Sequence, residues 1–389
     1  MPVNEKDELY FNIFDDAVAK APNVAGFSLK YPDGRRQSIS LEKLRAWIEK
    51  HGIYTANNTI FLKHEEKWGV IAKWCEYFYN KRKTTKKKML GIYRELHDTS
   101  KTFTAEETAV MEEQEENLNS RQGAIKNMIN SIYGQMGSAF SPIANLDIAQ
   151  SITRQGRMCN IESSRYILNE FKKRYDSSYK GFWISTLDED DPRRSHTPKI
   201  EVIGISGDTD SVFIDLTPLT NWMKKQYSLP KLIKHWPQEK RQELWDTMVK
   251  FIDNDVNAFV RNLVHTRCKT NQQDVLTYEF EYMGDAILLE SKKHYFTHVI
   301  YNEGSIVDKN KVTGISLKKN ETDKSMKNYL KDIYEGVVVH DWTEKDYENY
   351  VNKLYDEFKT FSIDQISFWK GYGTECHSVG FMQMAKGAT

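Results

Sequence analysis

Cysteine is scarce and scattered in this chain. Cys75, Cys159, Cys268 and Cys376 are the four among 389 residues. Their separation indicates neither a C-x-x-C zinc knuckle nor a disulfide framework, and reduced thiols in a cytoplasm are the expectation. Long apolar runs are missing as well: none approaches the roughly 20 residues of a membrane-spanning helix. The stretch Met1–Tyr10 is acidic and unlike a secretory signal. Nor is there a surplus of charge, since 55 Lys and Arg meet 55 Asp and Glu for a formal net charge of +0. Affinity for a polyanion must therefore come from local patches. The length is enough to bury a large core and to form two or three subdomains rather than one.

The most informative string that is present is Gly207-Asp208-Thr209-Asp210-Ser211. Ile200, Val202, Ile203 and Ile205 lead into it, and Val212, Phe213, Ile214 and Leu216 lead out. Two β-rich runs separated by Gly and Asp residues predict a tight hairpin with both aspartates at its tip. Asp-Thr-Asp alone is also ordinary turn chemistry, because Asp bonds its own backbone in tight turns. The full string is less ordinary, with a chance match expected in about one chain in ten thousand of this length. Carboxylates two apart on stiff backbone offer hard oxygen ligands to Mg²⁺. That donor set suits phosphoryl transfer, where two cations clamp the attacking and leaving oxygens.

A second motif precedes it. Lys126, Asn130 and Tyr133 fall at i, i+4 and i+7, one face of a helix. A lysine can neutralise a triphosphate, an amide can bond a phosphate or sugar oxygen, and a tyrosine offers a flat face and a hydroxyl. In isolation the spacing equally describes a surface helix with a buried Tyr. Gly134 is expected to end that helix or to admit another backbone. Upstream, Lys81 to Lys88 carries six cations and no acid. Arg82 and Lys86 are neighbours on a helix, and Lys83 and Lys87 form a parallel row. A solvated charged face or a calmodulin-like basic helix has the same pattern.

The strings Lys126-x-x-x-Asn130-Ser131-x-Tyr133-Gly134 and Gly207-Asp208-Thr209-Asp210-Ser211 together resemble motifs B and C of family B DNA polymerases. The likeness is greatest to the replicative polymerases of large tailed bacteriophages of the T-even type. It extends through Lys63-His64 and Asn80 to Met89, similar to the first helix of the fingers. It continues in Lys292-Lys293-His294-Tyr295, similar to the family's K-K-R-Y, and in Gly314 to Lys319, where palm passes to thumb. His294 stands where that pattern has Arg, so an always-charged contact becomes pH-dependent.

The resemblance implies roles. Asp210 and Asp208 become catalytic metal ligands for two Mg²⁺ ions, with Glu281 as the palm's acidic position and Glu279 competing for it. Arg82, Lys86, Lys126 and Asn130 hold the dNTP triphosphate, and Tyr133 lies against the nascent base pair. Lys292, Lys293, Tyr295, Lys318 and Lys319 contact DNA. The family's motif A, D-x-x-S-L-Y-P, has no match; Asp7-Glu8-Leu9-Tyr10 lacks its Ser and Pro. The exonuclease D-x-E strand is also missing, and the chain stops where the family has a mid-thumb Arg-Gly pair. These gaps imply a split polymerase. Its partners are an N-terminal fragment carrying motif A and the exonuclease, a C-terminal thumb fragment, a sliding clamp, primer-template DNA and dNTPs, in the cytoplasm of an infected host.

The expected fold class is α+β, a palm of antiparallel sheet with helices beside helical fingers and a partial thumb. Residues 1–62 read as palm following motif A, with a helix over Leu9–Ala21. Residues 63–136 read as fingers: two long helices joined by a Thr- and Glu-rich linker whose acidic face comprises Glu106, Glu107, Glu112, Glu113, Glu115 and Glu116. Residues 137–315 read as palm, with a helix from Ile148 to Phe171, an exposed loop from Asp188 to Pro198, mostly helix from Trp222 to Leu263 and strands from Val275 to Tyr295. Residues 316–389 read as incomplete thumb, with helices over Asp323–Val338 and Thr343–Phe361. The competing function is a non-catalytic DNA-binding or assembly protein derived from a polymerase.

Overall fold

The computed structural model describes residues 12–15, 26–98, 100–178, 204–207, 211–271, 276–291, 294–318 and 324–362. Asp208, Asp210, Lys292, Lys293, Lys319, Cys376, the loop Asp188 to Pro198 and the lead-in residues Ile200, Val202 and Ile203 lie outside them. The fold is α+β, and it divides into two compact units. The first comprises Met1–Glu281 with Glu303–Ser305, the second Tyr282–Asn302 with Ile306–Thr389.

The first unit opens with small antiparallel pairs. Strands β1 (Phe27–Lys30) and β2 (Arg36–Ile39) pair from Phe27↔Ile39 to Lys30↔Arg36. Helix α1 (Leu41–His51) follows, its Ser40 cap accepting from the Lys43 amide, and leads into β3 (Gly52–Tyr54) and β4 (Ile60–Leu62). Leu44 and Ile48 on α1 bury against Ile13 and Tyr54 to make a local core. The Leu9–Ala21 helix is not continuous, because residues 12–15 form a turn. The Asn12 side chain accepts from the Phe14 amide at 2.9 Å, and such Asx bonds compete with helix formation.

Two long helices follow. Helix α2 (Val70–Leu96, 27 residues) and helix α3 (Ala105–Gly137, 33 residues) pack as an antiparallel hairpin. The link between them, residues 97–104, is short, and the six glutamates expected in it belong to α3 itself. Thr104 and Glu107 form a reciprocal capping box that starts α3 there. Gly134 does not end the helix, which runs on to Gly137, and a Cβ at Gly134 would meet nothing within 4 Å. Glycine costs a helix about 1 kcal/mol relative to alanine, which a long packed helix absorbs. Few side chains are buried on the pair: Thr85 and Met89 on α2, Ile125 and Met136 on α3.

Helix α4 (Leu146–Arg174) is the better-buried scaffold, with Met158, Cys159, Ile167, Leu168 and Phe171 inside. Strands β5 (Gly204–Gly207) and β6 (Val212–Ile214) pair antiparallel, with Gly207 opposite Val212. Helices α5 (Thr217–Tyr227), α6 (Gln238–Lys250) and α7 (Asn257–Cys268) come next, α6 and α7 joined by a π-helical turn, Phe251–Val256. Met158 and Cys159 of α4 cluster with Leu263 of α7. Asn257 clamps the segment before Glu279 and Glu281: it accepts from the Tyr278 amide at 2.7 Å and donates to the Tyr278 carbonyl at 3.0 Å.

The second unit is a three-stranded antiparallel sheet with two helices. Strands β7 (Tyr282–Ser291), β8 (His294–Asn302) and β9 (Ser305–Thr313) lie in that order, and the central β8 is buried from Phe296 to Tyr301. Gly284 sits at a register shift where a Cβ would fall 2.5 Å from the Thr297 hydroxyl, so only glycine fits. Phe296, Ile315, Tyr334 and Val338 form the core beneath helix α8 (Lys324–Val338), and helix α9 (Glu344–Phe358) follows. Inside the sheet, His298 bonds Asp285 at 2.7 Å through Nδ1 and Asp308 at 2.9 Å through Nε2. No helix of the described residues is long and apolar enough to cross a membrane.

Candidate nucleotide and metal site

The β5–β6 pair closes directly around the acidic string. Gly207 and Val212 are register partners, so the residues between them form the hairpin's connection. Asp208 and Asp210 belong to that connection and lie outside the described residues. Among the described residues no group of three or more His, Cys, Asp or Glu side chains is disposed to hold a metal ion. The donor chemistry of the string fits a hard divalent cation: two carboxylates two residues apart on a short loop between paired strands.

The candidate triphosphate-binding cations lie on the α2–α3 hairpin. Arg82 donates from Nε to Gln122 Oε1 at 3.2 Å, joining the two helices. That contact sets the relative register of the remaining side chains. Lys86 lies one turn along α2 from Arg82, and Lys126 lies one turn along α3 from Gln122 in the opposite axial direction. An i to i+4 step rises roughly 6 Å. Lys86, Arg82 and Lys126 therefore form a row of cations along the helix pair, extended on α3 by Asn130 and Tyr133. Lys126, Asn130 and Tyr133 are exposed, with Tyr133 at 42 %. Neither Lys126 nor Asn130 has a hydrogen-bonding or ionic partner among the described residues. The helix face expected from spacing alone is real, and Tyr133 is on the surface rather than buried.

Lys86 is differently placed. Its Nζ lies 2.9 Å from Glu303 Oε1 and 3.7 Å from Glu279 Oε2. Burial works against its charge, but the hydrogen bond to Glu303 and the attraction of Glu303, Glu279 and Glu281 outweigh it, so its pKa is raised. Arg94, two turns further along α2, donates from Nε and Nη2 to the Glu303 carbonyl at 3.2 and 3.1 Å. Glu303 and Gly304 both have positive φ, 52° and 88°, in a two-residue turn, and the carbonyl and carboxylate of Glu303 bond Arg94 and Lys86 of α2. Sequence reasoning missed Glu303. The Asn302-Glu303-Gly304 string signals a hairpin turn, but nothing local says that a residue 209 positions after Arg94 will meet α2.

Glu279 and Glu281 are both exposed, just before β7. Only Glu279 reaches Lys86 directly, while the Glu281 carbonyl accepts from the Glu303 amide at 2.8 Å. Tyr295 and Lys318 belong to the second unit. Tyr295 pairs with Leu289 on β7 and is half-buried. Lys318 is exposed at the end of the turn Ser316–Lys318, beside the buried Ile315.

Comparison with known proteins now bears on this arrangement. The DNA polymerase catalytic subunit of Elephantid herpesvirus 1 (isolate Asian elephant/Berlin/Kiba/1998) is 33 % identical over 118 residues, covering 30 % of this chain. The matched stretch spans 11 % of that relative's length. The family model for DNA polymerase family B matches residues 33–235, which take in β2, the α2–α3 hairpin, α4 and the β5–β6 pair. The chain belongs to the family B DNA polymerases.

Proposed function

We propose that this chain supplies the fingers, the motif C palm and part of the thumb of a split DNA-directed DNA polymerase of the T-even phage type. Residues 63–136 are the fingers, 137–315 palm and 316–389 incomplete thumb, with 1–62 the palm segment after motif A. The observation that carries the reading is the Arg82–Gln122 bond, which aligns Lys86, Arg82 and Lys126 along one pair of helices. A row roughly 12 Å long, with an amide and a phenol beyond it, suits the length and charge of a nucleoside triphosphate.

In this reading Lys86, Arg82 and Lys126 bind the triphosphate and offset charge on the departing pyrophosphate. Asn130 bonds a phosphate or sugar oxygen, and Tyr133 packs on the new base pair. The primer 3′-hydroxyl attacks the α-phosphate, and pyrophosphate leaves. Asp210 would hold Mg²⁺ directly, Asp208 in support, with Glu281 or Glu279 nearby and an aspartate from a partner's motif A completing the site. Bound Mg²⁺ supplies polarisation of the phosphoryl oxygens and neutralises the attacking and leaving oxygens. Lys292, Lys293, Tyr295, Lys318 and Lys319 hold the primer-template. The partner fragment also brings the exonuclease, and a C-terminal thumb piece and sliding clamp complete the assembly.

The engagement of Lys86 by Glu303 and Glu279 favours one competing reading, a polymerase-derived protein that binds DNA without catalysis. Binding of dNTP with and without template-primer separates the two. Catalytic use requires tighter dNTP binding on template-primer, and loss of that enhancement in Arg82→Ala. Equal binding in both states supports the non-catalytic reading.

A further inference from the structure

Helix α2 has a second face that the nucleotide reading does not use. Thr85 and Met89 are 7 % and 8 % exposed and mark the side turned to the core. Arg82 and Lys86 fall on one flank of that side. On the other flank Lys73, Trp74, Tyr77 and Lys81 share an arc of about 100° over the first three turns. Trp74 is 37 % and Tyr77 60 % exposed, and Val70 at the head of the same stripe is 83 % exposed. Two ammonium groups flank the pair of rings, Lys73 before Trp74 and Lys81 after Tyr77. Lys81 Nζ lies 5.8 Å from the Tyr77 ring centre, and Lys73 Nζ lies 5.2 Å from that of Trp68, itself 39 % exposed just before the helix. Glu76, the one acid of α2's first three turns, points away from the stripe by helical spacing.

We infer that this stripe is a binding face for single-stranded DNA, distinct from the nucleotide-binding flank of the same helix. A face made for another protein's core would be uniformly apolar, whereas here Tyr77 and Trp68 each have a lysine ammonium beside the ring. That pairing matches a ligand with flat bases and a negative phosphate at each step. Aromatic stacking is sequence-tolerant because every base has a π face, and the lysines track the backbone. Charge complementarity is local. The first half of α3 carries Glu106, Glu107, Glu112, Glu113, Glu115 and Glu116, but the antiparallel pairing places that half beside the C-terminal part of α2, away from the stripe.

The test is fluorescence anisotropy of a short labelled oligothymidylate titrated with the full chain at two salt concentrations, with sedimentation of the same samples. Trp74→Leu/Tyr77→Leu keeps apolar bulk on the helix and is expected to weaken binding about tenfold or more. Lys73→Gln/Lys81→Gln is expected to weaken binding and lower the salt slope by about one to two. Tyr79→Leu, on the opposite side of the helix, is expected to retain it. Unchanged affinity in both stripe variants would overturn the inference. So would self-association that the Trp74→Leu/Tyr77→Leu change abolishes while DNA affinity stays the same. The inference does not rest on the polymerase reading: strand binding lost in the stripe variants and kept in Tyr79→Leu upholds it even if dNTP binding fails its own test.

Discussion

The α2–α3 hairpin and the β7–β8–β9 sheet treat their charges in opposite ways. In the sheet, His298 is buried to 6 % side-chain exposure and satisfied at both ring nitrogens, by Asp285 from β7 and Asp308 from β9. In the hairpin, Lys126 and Asn130 meet no protein partner among the described residues, and Arg82 has a single neutral one. The sheet's histidine is saturated by its own protein; the hairpin's Lys126 is left open, as the proposed nucleotide site requires. Lys86 stands between these cases, a half-buried cation held by the largely covered Glu303 and the exposed Glu279.

Loss of the open charges has the largest expected effect. Arg82→Ala with Lys126→Ala should lower kcat/KM for dNTP in the assembled enzyme by about a thousandfold, as removal of donors to a transferring phosphoryl group does, while chain stability falls by only about 1 kcal/mol, the worth of the Arg82–Gln122 bond. Steady-state kinetics beside chemical denaturation measures both. In the sheet the effects should reverse. His298→Ala strands Asp285, whose side chain is only 11 % exposed, and should destabilise the second unit by about 2 kcal/mol with little effect on nucleotide binding.

The same histidine gives the sheet a pH signature. Burial lowers its pKa, but the hydrogen bonds to Asp308 and Asp285 and their charges prevail, and the value is raised from 6.5. With the folded pKa above the unfolded one, the stabilisation is full below about pH 6.5 and is lost as pH rises through the raised value. Melting of the second unit should therefore occur at lower temperature at about pH 8 than at about pH 6, and His298→Asn should flatten that difference. A smaller change sharpens the intermediate case. Glu303→Gln loosens the hold on Lys86, and dNTP binding to the chain should tighten severalfold, with the gain absent when Lys86 is already Met. A fall in affinity would mean that Glu303 positions Lys86 rather than occupying it.

Elements with strong local signals were legible in the sequence. Of the apolar runs flanking Gly207 to Ser211, Ile205 lies on β5 and Val212, Phe213 and Ile214 make its partner β6, and the expected helices near Ile148–Phe171, Asp323–Val338 and Thr343–Phe361 are α4, α8 and α9. Boundaries failed where a local rule lost to its context. Gly134 reads as a stop, yet α3 continues through it; Asn12 turns the chain where periodicity suggests helix; the glutamates assigned to a linker sit behind the Thr104 cap. The helix face of Lys126, Asn130 and Tyr133 followed from spacing. The pairing of Lys86 with Glu303 did not, because contacts between residues remote in sequence leave no periodic trace.

The most direct measurement is Mg²⁺-dependent extension of a primed template by this chain alone and after co-expression with neighbouring gene products, using wild type and Asp210→Asn. Extension only in the mixture, abolished by Asp210→Asn with assembly intact, is the predicted result. Substantial extension with Asp210→Asn, or none in any mixture while DNA binding persists, would contradict the account.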